Sequence, residues 1–109
     1  MRRGAGLLVF IFALLVPTLG LASELFISNE KDNTVTVLDS ETMTAKKVIP
    51  VGQRPRGIRI TPDDRWVLVC VGDDDAIDVI DTETLEVARR IPTLADPEYL
   101  DITPDGKRV

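Results

Sequence analysis

The sequence predicts an all-β fold assembled from repeated antiparallel units, and three observations carry that prediction. Leu25 to Trp66 aligns without a gap on Val67 to Arg108, at a constant offset of 42 residues. Each unit divides into short alternating or wholly apolar runs bounded by Pro, Asp, Asn and Gly, which is the pattern of strands and turns. The turn chemistry also recurs in place, since Ile60-Thr61-Pro62-Asp63 returns as Ile102-Thr103-Pro104-Asp105. A period in the low forties with several strands per unit is that of a β-propeller blade. The expected architecture is therefore a β-propeller of four-stranded antiparallel blades, of which about two are present, in repeat units 25–66 and 67–108.

Along the chain, Leu25 to Asn29, Thr34 to Asp39 and Lys46 to Pro50 read as a first group of three strands. Gly57 to Thr61, Trp66 to Val71, Ala76 to Asp81 and Val87 to Ile91 read as the next four, and Tyr99 to Thr103 as one more. Thr34-Val35-Thr36-Val37-Leu38 and Ala76-Ile77-Asp78-Val79-Ile80 alternate polar and apolar residues, so each is expected to have one more exposed face, with Asp78 pointing outward. Trp66 to Val71 is apolar throughout and should be buried on both faces between blades. Trp66 and Tyr99, at the start of strands, are expected to pack between blades, and Cys70 to be an inert core residue.

The joints are explained by local chemistry. In Thr61-Pro62-Asp63-Asp64 and Thr103-Pro104-Asp105-Gly106, proline presets φ at the second turn position, and Asp or Gly tolerates the turn conformation at the positions after it. Asp39-Ser40-Glu41-Thr42 and Asp81-Thr82-Glu83-Thr84 have side chains able to fold back onto nearby backbone N–H groups. These acidic motifs occur in both units, which assigns them to architecture rather than catalysis.

A first group of three strands implies a ring closed by a strand from the far C-terminus, and the pattern as a whole is that of an N-terminal piece of a longer protein. Ahead of it, residues 1–22 read as a secretory signal peptide. Arg2-Arg3 begin it, Leu7 to Val16 is apolar, and Gly20-Leu21-Ala22 presents small residues for cleavage. Ten apolar residues are too few to span a bilayer, which needs about 20. The expectation is a periplasmic or secreted protein, with no membrane association after cleavage.

Removing Arg2 and Arg3 from 13 basic residues leaves 11 against 18 acidic ones, a net charge of −7 for residues 23–109. Such a balance argues against a nucleic-acid partner, whose phosphates demand clustered Lys and Arg. Cys70 is the single cysteine, so no internal disulfide can form. The sequence has no histidine, which removes Ser-His-Asp and Cys-His catalysis and every histidine-containing metal site from this stretch. No catalytic residue is assigned.

Positions that differ sharply between aligned units are the informative ones for function. Arg54 aligns with Asp96 and Arg56 with Glu98, so two cations in one unit become two anions in the next. In a propeller this segment leads into the innermost strand beside the central channel. Arg54, Arg56, Asp96 and Glu98 are the candidate ligand- or partner-binding residues, with the arginines able to present planar donors to a carboxylate. The alternative is that the same four residues tie adjacent blades together. Asp73-Asp74-Asp75 is a weaker candidate, for Ca²⁺, but lacks the spacing of an EF-hand and reads better as a solvated loop.

The unit pattern Pro-x-Gly-Ile-x-Ile-Thr-Pro-Asp-Asp-Arg-x-Val-x-Val, followed by Ile-x-Val-Ile-Asp-Thr-x-Thr, resembles the YVTN family of β-propeller repeats. More narrowly, Ile27 to Val35, Val51 to Ile58 and Asp96-Pro97-Glu98 resemble the opening of the PQQ-dependent catabolism-associated β-propeller proteins. That resemblance implies a seven-bladed, exported, non-catalytic propeller, a binding or scaffold protein for PQQ-dependent alcohol catabolism. Its implied partners are a periplasmic quinoprotein dehydrogenase or transport components. Quinoprotein dehydrogenases carry a docking motif Ala-x-Asp-x-x-Thr-Gly-x-x-x-Trp, whereas here Asp39-x-x-Thr42 and Asp81-x-x-Thr84 are followed by Met43 and Leu85. No cofactor is therefore assigned to these blades. Two other readings stand beside this one: a propeller enzyme, lactonase-like or quinoprotein-dehydrogenase-like, with its active site in blades beyond this stretch, and a truncated fragment without function.

Overall fold

The computed structural model describes residues 23–109, and the signal-peptide reading falls on residues 1–22, outside them. Among the described residues, seven strands form two antiparallel sheets. The first contains β1 (Glu24–Asn29), β2 (Thr34–Asp39) and β3 (Ala45–Pro50), paired in that order. The second contains β4 (Pro55–Ile60), β5 (Trp66–Val71), β6 (Ala76–Asp81) and β7 (Glu86–Pro92), again in sequence order. Each sheet is a meander, and together they are two propeller blades, the first having three strands among the described residues. No helix among these residues is long and apolar enough to cross a membrane.

The repeat is visible in the backbone. Non-glycine residues with left-handed φ occur at Asn33 and Asp75, at Met43 and Leu85, and at Arg54 and Asp96, while Asp64 is matched by Gly106. Every such residue thus has a counterpart 42 positions away, so one set of turns was copied whole. Their chemistry is local. The Asp39 carboxylate accepts from the N–H groups of Glu41 and Thr42, and Asp81 from those of Glu83 and Thr84. The Asp64 N–H closes on the Thr61 carbonyl, as Gly106 does on Thr103. Asp63 and Asp105 accept from the hydroxyls of Thr61 and Thr103 and from backbone N–H groups two residues on.

Alternation places one face of each sheet on the other. Val35, Val37 and Ile49 of the first blade meet Val67, Val69 and Ile80 of the second in a fully buried core. The opposite face of the second blade gathers Leu68, Cys70, Ile77 and Val79, against which Trp66, Ile91, Leu100 and Ile102 pack. Strand β5 is thus buried on both faces, as its uniform apolarity requires. Burial also pushes the Cys70 thiol up from its ordinary pKa, as expected of an unreactive core thiol.

Three expectations are corrected. Residues 99–103 form no strand, because no described segment pairs with their backbone; Leu100 and Ile102 are nevertheless docked on the second blade. Tyr99 is 81% exposed rather than packed between blades. Strand β6 is buried along its whole length, and Asp78 points inward at 1% exposure, since its carboxylate is drawn to an arginine and to the backbone joining the blades.

Candidate functional site

The loop that carries the chain from the first blade to the second meets, at one end of the two sheets, the turn that joins β5 to β6. Val51-Gly52-Gln53-Arg54 follows β3, and the short 3₁₀ turn Gly72–Asp74 follows β5. Their positions are set by paired repeat contacts. The Arg54 N–H donates to Asn33 Oδ1, and the Asp96 N–H to Asp75 Oδ1. The Val51 N–H donates to the Asn33 carbonyl, and the Thr93 N–H to that of Asp75. Asn and Asp tolerate the left-handed conformation these hubs adopt. Arg54 and Asp96 therefore leave equivalent backbone positions, and their opposite charges face each other.

The four charge-swapped residues meet. Arg54 Nη2 is bonded to Asp96 Oδ1, and Arg56 Nη1 to Glu98 Oε1. The bond to Asp96 holds the Arg54 guanidinium above its ordinary pKa. Both arginines have a second carboxylate that comparison of the repeats did not single out. Arg54 Nε lies 2.9 Å from Asp73 Oδ1, and Arg56 Nε lies 3.9 Å from Glu30 Oε2. Arg54 Nε is buried and makes no aligned hydrogen bond, so its contact with Asp73 is ionic only. Beside Arg54 a shallow cleft of about 410 Å³ is lined by Glu30, Lys31, Asn33, Gln53, Arg54 and Asp73.

Asp73, Asp74 and Asp75 do not converge. Asp73 faces Arg54, Asp74 accepts from the Gln53 N–H and pairs with Arg90, and Asp75 accepts from the Asp96 N–H. Among the described residues no three His, Cys, Asp or Glu side chains are grouped to hold a metal ion. The local reason is that each carboxylate is turned toward a different cation or N–H.

A second ionic cluster lies behind the rim. Asp78 receives Arg90 in a two-point contact, Nε to Oδ1 at 2.7 Å and Nη2 to Oδ2 at 3.1 Å, and the Gly52 N–H at 2.8 Å. This contact with Asp78 raises the Arg90 pKa. Asp78 aligns with Thr36 and Arg90 with Val48, so the pair is private to the second unit. The criterion that identifies Arg54 and Asp96 would find it too; the alternation of β6, which reads as an exposed face, hides it. A Cβ at Gly52 would crowd the Asp74 carboxylate, Arg90 Nη2 at 2.6 Å and Val71 Cγ2 at 2.9 Å, so these side chains would have to shift to admit one.

Two stacked antiparallel meanders, a 42-residue repeat in turns and contacts, and inner segments meeting at one rim define a β-propeller repeat protein. The profile of the YNCE-like beta-propeller family matches residues 10–109, and the chain belongs to that family. Among solved structures it is similar to Kuenenia stuttgartiensis hydrazine synthase, at 32% identity and a TM-score of 0.76, over 78% of this chain and 24% of that one. It is similar also to a functionally unknown protein from Desulfotomaculum acetoxidans, at 21% identity and a TM-score of 0.68, over 76% and 29% of the two chains. A third likeness is to the dihydro-heme d1 dehydrogenase NirN in complex with DHE, at 21% identity and a TM-score of 0.69, over 77% and 18%. The chain thus spans less than a third of each of these structures. No match is found among curated proteins.

Proposed function

We propose that the chain contributes to a non-enzymatic, periplasmic propeller that binds a protein partner through its charged rim and serves PQQ-dependent alcohol catabolism. A quinoprotein dehydrogenase or a transport component is the proposed partner. The observation that carries the binding reading is that residues private to each repeat, Arg54 and Arg56 against Asp96 and Glu98, gather at one rim beside an open polar cleft. Shared residues build the scaffold, and private residues give this rim its own pattern of charge. Because both guanidinium groups already face carboxylates, the rim suits a partner that reads alternating charge better than a free carboxylate ligand. The PQQ association rests on the likeness of the loops around Ile27 to Val35 and Val51 to Ile58. Export rests on the leader.

The test is copurification of the intact protein from periplasm, with and without Arg54→Ala plus Arg56→Ala. A stable quinoprotein or transporter partner that is lost in the double variant, at little change in Tm, supports the reading. Loss of thermal stability with the partner retained assigns the arginines to blade cohesion alone. A second reading, that the whole protein is a propeller enzyme, is favoured by the 32% identity to Kuenenia stuttgartiensis hydrazine synthase. Turnover in a substrate screen of the intact protein would support it.

A further inference from the structure

The inter-blade loop that presents Arg54 is held from behind by one guanidinium acting through two carboxylates. Arg90 Nη2 lies 3.3 Å from Asp74 Oδ2, while Nε and Nη2 of the same group hold Asp78. Each carboxylate in turn takes one of two successive N–H groups of the loop, Asp78 that of Gly52 at 2.8 Å and Asp74 that of Gln53 at 2.9 Å. The loop and the turn that carries Asp74 are also joined backbone to backbone. The Gly72 N–H donates to the Arg54 carbonyl, and the Asp73 N–H to that of Gln53. Arg54 and Asp73, which meet at the rim, therefore leave two segments locked by the same group. Every residue of this lock lies between Gly52 and Arg90, within the two blades described.

The first unit is built without this lock. At the positions 42 residues earlier Arg90 becomes Val48 and Asp78 becomes Thr36, and only Asp74 keeps its type, as Asp32. Cohesion between blades does not call for a buried ion pair, since replacing such pairs by apolar residues often leaves stability unchanged or raised. What a forked guanidinium adds is fixed geometry, because its donors are rigidly disposed toward carboxylate oxygens. We propose that Arg90 is a positioning residue for the rim. By bridging Asp78 and Asp74 it fixes the loop from Val51 to Arg54, and with it the presentation of Gln53 and Arg54 beside the cleft to the partner. Arg90 does not line the cleft; it acts through the two carboxylates and the N–H groups they hold. This inference rests on the reading of the rim as a binding surface.

Hydrogen exchange of the intact protein, read by mass spectrometry and joined to the periplasmic copurification, tests this. In Arg90→Ala, exchange over Val51 to Arg54 and Gly72 to Asp75 should rise at least about tenfold, the factor that one charged hydrogen bond is worth. Val67→Ala, in the buried core at the far end of β5, supplies a loss of Tm of similar kind and should leave that exchange within about twofold. Arg90→Lys should recover much of the Tm and little of the protection, because an ammonium is a point charge without the guanidinium fork. Asp74→Ala leaves the buried Asp78 paired; it replaces Arg90→Ala if that variant fails to fold, with the same rise expected at Gln53. Recovery of the partner should fall with the loss of protection. Unchanged exchange in Arg90→Ala, an equal rise in Val67→Ala, or full protection with lysine would overturn the positioning role. A partner held undiminished on a loosened loop would overturn it too. If the wild-type protein captures no partner, the binding reading fails by itself, and the exchange comparison still decides whether Arg90 sets the loop.

Discussion

Asp78 illustrates how one residue joins two blades. Its carboxylate holds Arg90 of β7 on one side and the Gly52 N–H of the inter-blade loop on the other. Removing it strands a buried N–H and part of a guanidinium. Hydrogen bonds to charged groups are worth about 1.5–3 kcal/mol, so Asp78→Ala should lower the unfolding free energy by roughly 2–3 kcal/mol. Asp78→Asn should recover part of that, by keeping an acceptor; urea denaturation of the two variants checks the order. The turn aspartates give a different signature. Backbone N–H groups of Thr42 and Glu41 hold Asp39 below its ordinary pKa, while Asp63 and Asp105 are lowered first by the hydroxyls of Thr61 and Thr103. At Asp81 burial pulls upward but is outweighed by the N–H groups of Glu83 and Thr84 and by Arg65. Groups with a depressed folded pKa stabilise above their unfolded pKa and lose that contribution as pH falls through the folded value. The four therefore contribute fully at neutral pH and progressively less below about pH 4. Thermal melts from about pH 7 to about pH 2.5 should show this acid limb, and the fourfold Asp→Asn variant should flatten it.

At the scale of the element, the inner segments are the most tightly constrained. Gly57 in β4 donates its N–H to Glu98, and a Cβ there would lie 2.6 Å from the Glu98 carbonyl oxygen and 2.9 Å from the Tyr99 Cα. These are backbone atoms, so the neighbour cannot swing away. Gly57→Ala should cost about 1–3 kcal/mol, as overpacking does, and release hydrogen-exchange protection of the amide at position 57, the donor to the Glu98 carbonyl. Most strands are legible in the sequence because a period of two and a turn motif are local signals. β2, β5 and β6 run over the expected residues, and β1, β3, β4 and β7 differ only near their ends. The segment 99–103 reads as a strand and forms none for a nonlocal reason. It has the residues of a strand, but strand structure requires a hydrogen-bonded neighbour. The outward face expected of β6 fails similarly, since alternation registers polarity and does not reveal that Arg90 and the Gly52 N–H wait on the polar side.

At the scale of the molecule, the repeat makes one interface out of two near-copies. Ile49 and Ile80 come from different blades and are both fully buried in the shared core. Truncating either to Ala should cost about 2–5 kcal/mol, and both should lower the Tm of the two blades in a single transition, which differential scanning calorimetry resolves. Two separate transitions would mean that the blades unfold independently. The candidate rim is half legible: charge reversal between aligned units selects Arg54, Arg56, Asp96 and Glu98, whereas Asp73 and Glu30 emerge only as their spatial neighbours. By itself the sequence determined the blade repeat, the strand order and the turn caps, because each is written within a few residues and then written again 42 residues later. The tertiary structure alone decided that Arg54 meets Asp96, that Asp78 turns inward and that Tyr99 stays exposed. Those outcomes depend on which backbone from another unit arrives beside each side chain, and a Coulombic or hydrogen-bonded partner outweighs the polarity pattern of the strand that carries it.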